Sequence, residues 1–128
     1  MATEVLVIVG MGGMGQAVLR RSGAGQKVLL ADFDETLLET VAGTALGDVS
    51  SRDSVAALAA TAAELGTVTG VVHTAGLSPV QAPVEAIWKV DLLGTALVLD
   101  EFQKVIAPRG SGVFISSMSA YMVGGQIP

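Results

Sequence analysis

Apolar positions follow two rhythms along this chain, one of strands and one of helices. Val5 to Val9 is an unbroken run of valine, leucine and isoleucine, the pattern of a strand buried on both faces in a parallel sheet, and Gly10 ends it. From Gly13 to Arg21 the spacing turns helical, with Met14, Ala17 and Val18 on one face. Arg20 and Arg21 suit the last turn of that helix and Gly23 its stop. Lys27 to Ala31 predicts a second short strand. Asp32 to Glu39 then predicts a helix with Asp34 as N-cap and Leu37, Leu38 and Val41 on its buried side. A third, weak strand falls near Thr44 to Val49. Ser50 and Asp53 form a capping-box-like pair ahead of an alanine-rich helix, in which Val55, Leu58, Ala59, Ala62 and Leu65 repeat at helical spacing. Val68 to Thr74 reads as strand four, Val84 to Ile106 as a long helix stopped by Pro108, and Gly112 to Ser116 as strand five.

Strands that alternate with helices in this way demand right-handed crossovers and an α/β fold, a doubly wound parallel sheet flanked by helices. No repeat, linker or low-complexity tract divides the chain. Its 128 residues fit one domain, 1–128, able to bury roughly two thirds of the surface its unfolded form would expose.

Composition narrows the function classes. Hydrophobic residues make up 51% of the chain and charged ones 15%, which argues for a packed core and against disorder. The mean hydropathy of +0.63 raises the question of a membrane span. The uncharged stretch from Val5 to Leu19 nevertheless contains glycines and a glutamine, and it is shorter than the ~20 apolar residues a spanning helix needs. It follows Glu4 rather than a basic cluster, which argues against a secretory signal. There is no cysteine, so disulfides, a thiolate nucleophile and a thiolate zinc site are excluded and a reducing cytoplasm is the default compartment. The net charge of −5 is spread without a basic patch, so nucleic acid is not an expected partner. The expected partner is a small molecule, with no metal site.

The first chemical signal is Gly10-Met11-Gly12-Gly13-Met14-Gly15, a GxGxxG turn between strand one and its helix. Such a turn uses one glycine for the bend, a second for close approach to a pyrophosphate and a third for helix–strand packing, the places of Gly10, Gly12 and Gly15. The amides of Gly12, Gly13, Met14 and Gly15 would present the positive helix end to phosphates. Asp32 stands at the end of strand two, with Phe33 beside it. A carboxylate there accepts hydrogen bonds from a ribose diol and repels a 2′-phosphate, favouring NAD over NADP. The competing role for Asp32 is helix capping, for which Asp34 is better placed.

Further motifs follow in order. Asp48-Val49, His73-Thr74-Ala75-Gly76, the long-helix stretch Trp88 to Thr95 and Val113-Phe114-Ile115-Ser116-Ser117 together resemble the short-chain dehydrogenases/reductases over essentially the whole chain. The resemblance implies a Rossmann-type fold and an NAD-dependent enzyme that interconverts an alcohol and a ketone or aldehyde. It implies that Asp48 and Val49 hold the adenine, that Thr74, Ala75 and Gly76 line the cofactor, that Ser117 orients the substrate oxygen, and that Asp91 stands where the family has a catalytic-relay Asn. Ser116 and Ser119 are the alternatives for the serine role. A homodimer or homotetramer through the long helix is implied as well.

Departures from the family pattern are as informative. The glycine turn is one residue shorter than the family's and Val9 replaces its Thr. His73 replaces the first Asn of the cofactor-lining stretch and is expected to be a structural donor that lines the cofactor. Asp91 falls on one helical face with Ile87, Trp88, Thr95 and Val98, and a carboxylate on an apolar stripe must find a partner. The partner is either the family's active-site Lys or nearby backbone. Tyr121 is followed four residues later by Gly125 rather than Lys, so it reads as a pocket wall, with Leu77, Pro79 and Met118. The chain therefore reads as the front portion of a longer protein. Strand five, if nothing follows Pro128, would be an uncovered apolar edge, and the isolated segment is expected to aggregate or to need a partner segment. Two other functions stay open: a non-catalytic NAD-binding module, and a structural segment whose glycine turn is a packing device.

Overall fold

The computed structural model describes residues 3–34, 44–78 and 80–118, with residues 44–46 described by their backbone. Five strands, β1 (Glu4–Val9), β2 (Lys27–Asp32), β3 (Thr44–Leu46), β4 (Thr67–His73) and β5 (Ile106–Phe114), form one sheet in the order β3-β2-β1-β4-β5. Every pairing is parallel. The helices are α1 (Gly13–Ser22), α2 (Arg52–Leu65), α3 (Val84–Ile87), a π-helical turn over Trp88–Gly94, and α4 (Thr95–Phe102), the last three running on without a break.

β1 shows why the sheet is covered on both faces. Its side chains alternate by the pleat, so that Val5, Val7 and Val9 join Val55, Leu58, Ala62 and Val98 in one cluster. Leu6 and Ile8 face the other way, with Met11 and Leu30, against Val18 and Leu19 of α1. Both sets are almost fully buried, which accounts for the unbroken apolar run in the sequence. Across the first layer, Arg52 at the head of α2 reaches Asp100 at 2.6 Å and Glu101 at 2.8 Å on α4.

Several boundaries differ from the sequence reading. α2 is capped by Ser51 and not Ser50: the Ser51 hydroxyl accepts from the Ser54 amide at 3.3 Å, while Ser50 turns to Asp48. Ser51→Ala is expected to cost about 1 kcal/mol and Ser50→Ala less, read from urea midpoints. Met14 does not bury its face of α1; it is exposed, and Met11 fills the core instead. The long helix ends at Phe102 rather than Ile106, because Ile106 pairs with Val68 in the sheet. Pro108 disfavours helical backbone at Ala107 before it, and it lies inside β5. β5 takes up the slack with a bulge, since Val68 pairs with Ile106 but Gly70 pairs with Ser111. Arg109 has φ 71 there. Among the described residues β5 lies at one edge of the sheet, and Val113 on it and Ile115 just after it are about half exposed. The helix expected from Asp32 to Glu39 lies mostly outside the described residues, as do Pro79, Ser119 and Tyr121. Among the described residues no helix is long and apolar enough to cross a membrane.

Candidate functional site

Strand order reverses between β1 and β4, the place where ligand crevices open at the carboxyl ends of parallel strands. A cleft of about 490 Å³ lies there, lined by the residues that follow β1, β2 and β4 together with Gly47, Asp48 and Val49. The floor is the glycine turn. Gly10 has φ +102, a conformation that suits glycine, and a Cβ on it would stand 2.6 Å from the Ala75 amide nitrogen. A Cβ on Gly15 would overlap the Gly10 carbonyl oxygen, so the third glycine lets the helix sit on the strand end. Gly12 is different: it caps α1, lines the cleft, and a Cβ there would meet nothing within 4 Å.

α1 has no side-chain cap and no acid in its first turn. Its first helical bond runs from the Gln16 amide to the Gly12 carbonyl at 3.0 Å. The amides of Gly13, Met14 and Gly15 precede it and need other acceptors. The side chain of Met14 itself is turned to solvent. Thr74 clamps the turn from the β4 side, its hydroxyl lying 3.0 Å from the Gly10 carbonyl and 3.3 Å from that of Val9.

One end of the cleft is acidic. Asp32, Asp34 and Asp48 all line it, and Phe33 exposes its ring among them. The Asp32 carboxylate accepts from the Met11 amide at 2.7 Å and, through its other oxygen, from the Asp34 amide at 2.8 Å. It ties the glycine turn to the end of β2 and keeps acceptor capacity, because each carboxylate oxygen can take more than one hydrogen bond. Asp48 accepts from both the amide and the hydroxyl of Ser50, at 2.9 and 2.6 Å. Its own amide donates to Ser54 Oγ at 2.8 Å, and Val49 beside it is buried at the cleft wall.

The other end is the loop after β4. Thr74, Ala75, Gly76 and Leu77 line it, facing Val90. Asp91 is not on an apolar stripe as the spacing implied. The π-helical turn shifts the register of its face, and Trp88 is exposed rather than packed. The Asp91 carboxylate accepts from the Leu77 amide at 2.7 Å, which is the backbone partner among the alternatives. Ser117 lies exposed beyond β5 and is not among the described residues lining the cleft. β5 leads toward it beside β4, where the Ile115 amide donates to the His73 carbonyl at 3.0 Å. Gln81 also lines the cleft and accepts from the Ser78 amide at 2.9 Å; nothing in its sequence neighbourhood marks it.

His73 is not part of the cleft lining, and one of its two ring nitrogens, Nε2, lies 3.5 Å from Thr95 Oγ1. It is 2% exposed behind the loop, and its Nδ1 has no hydrogen-bond partner. Burial pushes the imidazole below its ordinary value of 6.5, against a smaller upward pull from Asp91. An unfolded chain takes up a proton near 6.5 that the folded protein refuses, so this contribution is full above that pH and is lost as pH falls below it. Urea unfolding at pH about 7.5 and about 5.5 is expected to show a loss at the lower pH that His73→Asn reduces. Equal losses in both proteins would contradict the assignment.

Known proteins share this architecture. Residues 10–127 match the family described as enoyl-(acyl carrier protein) reductase. A short-chain dehydrogenase/reductase of Alternaria brassicicola is 40% identical over the whole of this chain, which spans 50% of that protein. Among solved structures, a short-chain dehydrogenase/reductase from Brucella melitensis, described as a glucose/ribitol dehydrogenase, superposes with a TM-score of 0.84 at 23% identity. That match covers 96% of this chain and 60% of the other. The aldohexose dehydrogenase of Thermoplasma acidophilum gives a TM-score of 0.78 at 23% identity over 92% of this chain and 51% of the other. At these identities the two structures show the fold. The chain thus spans about half the length of the curated relative it matches.

Proposed function

The chain belongs to the short-chain dehydrogenase/reductase family, and from that premise we propose that it forms the cofactor half of an NAD-dependent oxidoreductase that interconverts an alcohol and a ketone or aldehyde. The observation that carries the reading is the cleft at the β1/β4 switch, with Gly10 and Gly12 of the glycine turn at its floor and three carboxylates at one end.

The residues present fit a dinucleotide. The amides of Gly12, Gly13, Met14 and Gly15 would hold the pyrophosphate. Asp32 would accept from the adenosine ribose, and Phe33, Asp48 and Val49 would flank the adenine. Asp34 and Asp48 add negative charge where a 2′-phosphate would lie, which deepens the preference for NAD over NADP. Thr74, Ala75 and Gly76 would line the nicotinamide half. The bound nicotinamide would supply the hydride acceptor or donor.

This chain's own residues then act on the substrate side. Ser117 would donate to the substrate oxygen, and Asp91 would hold the Gly76–Leu77 wall through the Leu77 amide. The small-molecule substrate would enter over the β4 and β5 ends. The exposed Val84, Trp88, Leu92 and Leu99 supply an apolar surface for a homodimer or homotetramer, placed in the cytoplasm. A second reading, a cofactor-binding module without turnover, is favoured by the His and Asp at positions 73 and 91.

Steady-state assays of the full-length protein decide between them. NAD-linked oxidation of a secondary alcohol, reduced about tenfold or more in Ser117→Ala, is the expected result. NADH binding with no turnover on a panel of alcohols and carbonyls would leave the module.

A further inference from the structure

The loop that leaves β4 is held by side chains for which the proposed reaction has no direct use. His73 ends β4, paired with Val9 on one side and Phe114 on the other. Its ring packs against Phe114 at 5.4 Å, and its Nε2 lies 3.5 Å from Thr95 Oγ1. The Thr95 hydroxyl donates to the Asp91 carbonyl at 2.7 Å. A hydroxyl has one proton, and here Asp91 receives it, so the Thr95 oxygen is an acceptor toward His73 and the imidazole proton sits on Nε2. Nδ1 is then the buried lone pair without a partner.

The Thr95 bond follows a common helical pattern. The Thr95 hydroxyl bonds the Asp91 carbonyl four residues back, as that of Thr61 bonds Ala57 at 3.0 Å in α2, and the Thr95 amide bonds the Leu92 carbonyl. From the same residue, Asp91 Oδ1 holds the Leu77 amide at 2.7 Å and stands 3.4 Å from where a Cβ on Gly76 would lie. The contacts close a ring: out of β4 at His73, along the loop to Leu77, across to Asp91, up the helix to Thr95 and back to His73.

We propose that His73 and Thr95 are positioning residues that fix Asp91, and through it the Gly76–Leu77 wall at the β4 end of the cleft. This rests on reading the cleft as a dinucleotide site. In the sheet order, β4 lies across β1 from β2 and Asp32, so the ring serves the nicotinamide half of the ligand and leaves the adenosine half alone.

Thr95→Val removes the hydroxyl at nearly unchanged shape, and Thr95→Ser returns it. Calorimetric titration is expected to show NADH affinity about tenfold lower in Thr95→Val, restored in Thr95→Ser, with ADP affinity within about twofold throughout. The ¹⁵N signals of His73, assigned by their loss in His73→Asn, report the tautomer directly: a protonated Nε2 in the unsubstituted protein, perturbed by Thr95→Val and recovered by Thr95→Ser. Unchanged NADH binding in Thr95→Val, equal loss of NADH and ADP, or a proton on Nδ1 in the unsubstituted protein each overturns the proposal. The last result needs no variant to fold. An unsubstituted protein that binds neither NADH nor ADP overturns the cleft reading itself and takes the proposal with it.

Discussion

Gly15→Ala is expected to cost about 3 kcal/mol or more of stability and to abolish NADH binding. The added methyl would occupy the position of the Gly10 carbonyl oxygen, and neither partner can yield cheaply. Gly10 is fixed by φ +102 and by its amide bond to the Ala31 carbonyl at 2.8 Å, and its own carbonyl is bound by Thr74. Relief requires α1 to lift from the end of β1, which exposes Met11 and breaks the cluster it forms with Leu6, Ile8 and Leu30. Equilibrium urea unfolding followed by circular dichroism measures the loss. A midpoint within experimental error of the unsubstituted protein would mean that the helix and strand do not meet as described.

The second large effect is expected at Asp32. In Asp32→Ala the Met11 and Asp34 amides lose acceptors at 2.7 and 2.8 Å. Bonds to a charged acceptor contribute about 1.5–3 kcal/mol each, with water able to replace part of that at the half-exposed positions. A net loss of about 2 kcal/mol follows, together with an NADH affinity lowered at least about tenfold if, as proposed, the same carboxylate accepts from the ribose. Asp32→Asn separates the two roles. An amide oxygen can still accept from one backbone N–H, so stability should recover in part, while discrimination against NADPH weakens with the loss of charge. Retention of full NADH affinity in Asp32→Ala would reduce Asp32 to a tie between the turn and β2.

β1 and β2 were legible because each carries its own signal, whereas strand five was read only from Gly112 and begins at Ile106. Val5–Val9 and Lys27–Ala31 are short, apolar and flanked by turn residues, and the sheet buries them on both faces as that pattern requires. The glycine turn was legible for the same reason, since its place between a strand and a helix is written locally. What failed to show depends on contacts distant in sequence. The long helix continues in its periodicity to Ile106, but pairing with Val68 draws that residue into the sheet. The π-helical turn leaves no mark in the spacing, which placed Asp91 with Thr95, as found, and with Trp88, which is exposed, and left a lysine and backbone open as its partner. Its partner, the Leu77 amide, lies 14 residues earlier. Thr95 had no sequence signal as a site residue, because its partner His73 is 22 residues away on another element. Ser50 and Ser51 are chemically equivalent caps, and only the engagement of Ser50 with Asp48 decides between them.

The candidate site divides along the same line. Gly10, Gly12, Gly15 and Asp32 could be read from residue type and position. Asp48, Val49, Thr74, Ala75, Gly76 and Ser117 came through resemblance, because a turn acid, small residues after a strand and a serine are each common without chemistry. The structure gathers all of these except Gly15 and Ser117 around one cleft, with Gly15 beneath its floor.

The central claim is that the glycine turn is a ligand surface as well as a packing device, and Gly12 separates the two. An alanine there has open space around its Cβ and an ordinary φ of −70, so the fold should survive while the methyl stands in the path of a pyrophosphate. Fluorescence titration of NADH against the unsubstituted protein and Gly12→Ala is the most direct measurement. Saturable binding by the first, weakened at least about tenfold in the second with the urea midpoint unchanged, is the predicted result. Equal binding by both proteins, or none by the unsubstituted one, would contradict it.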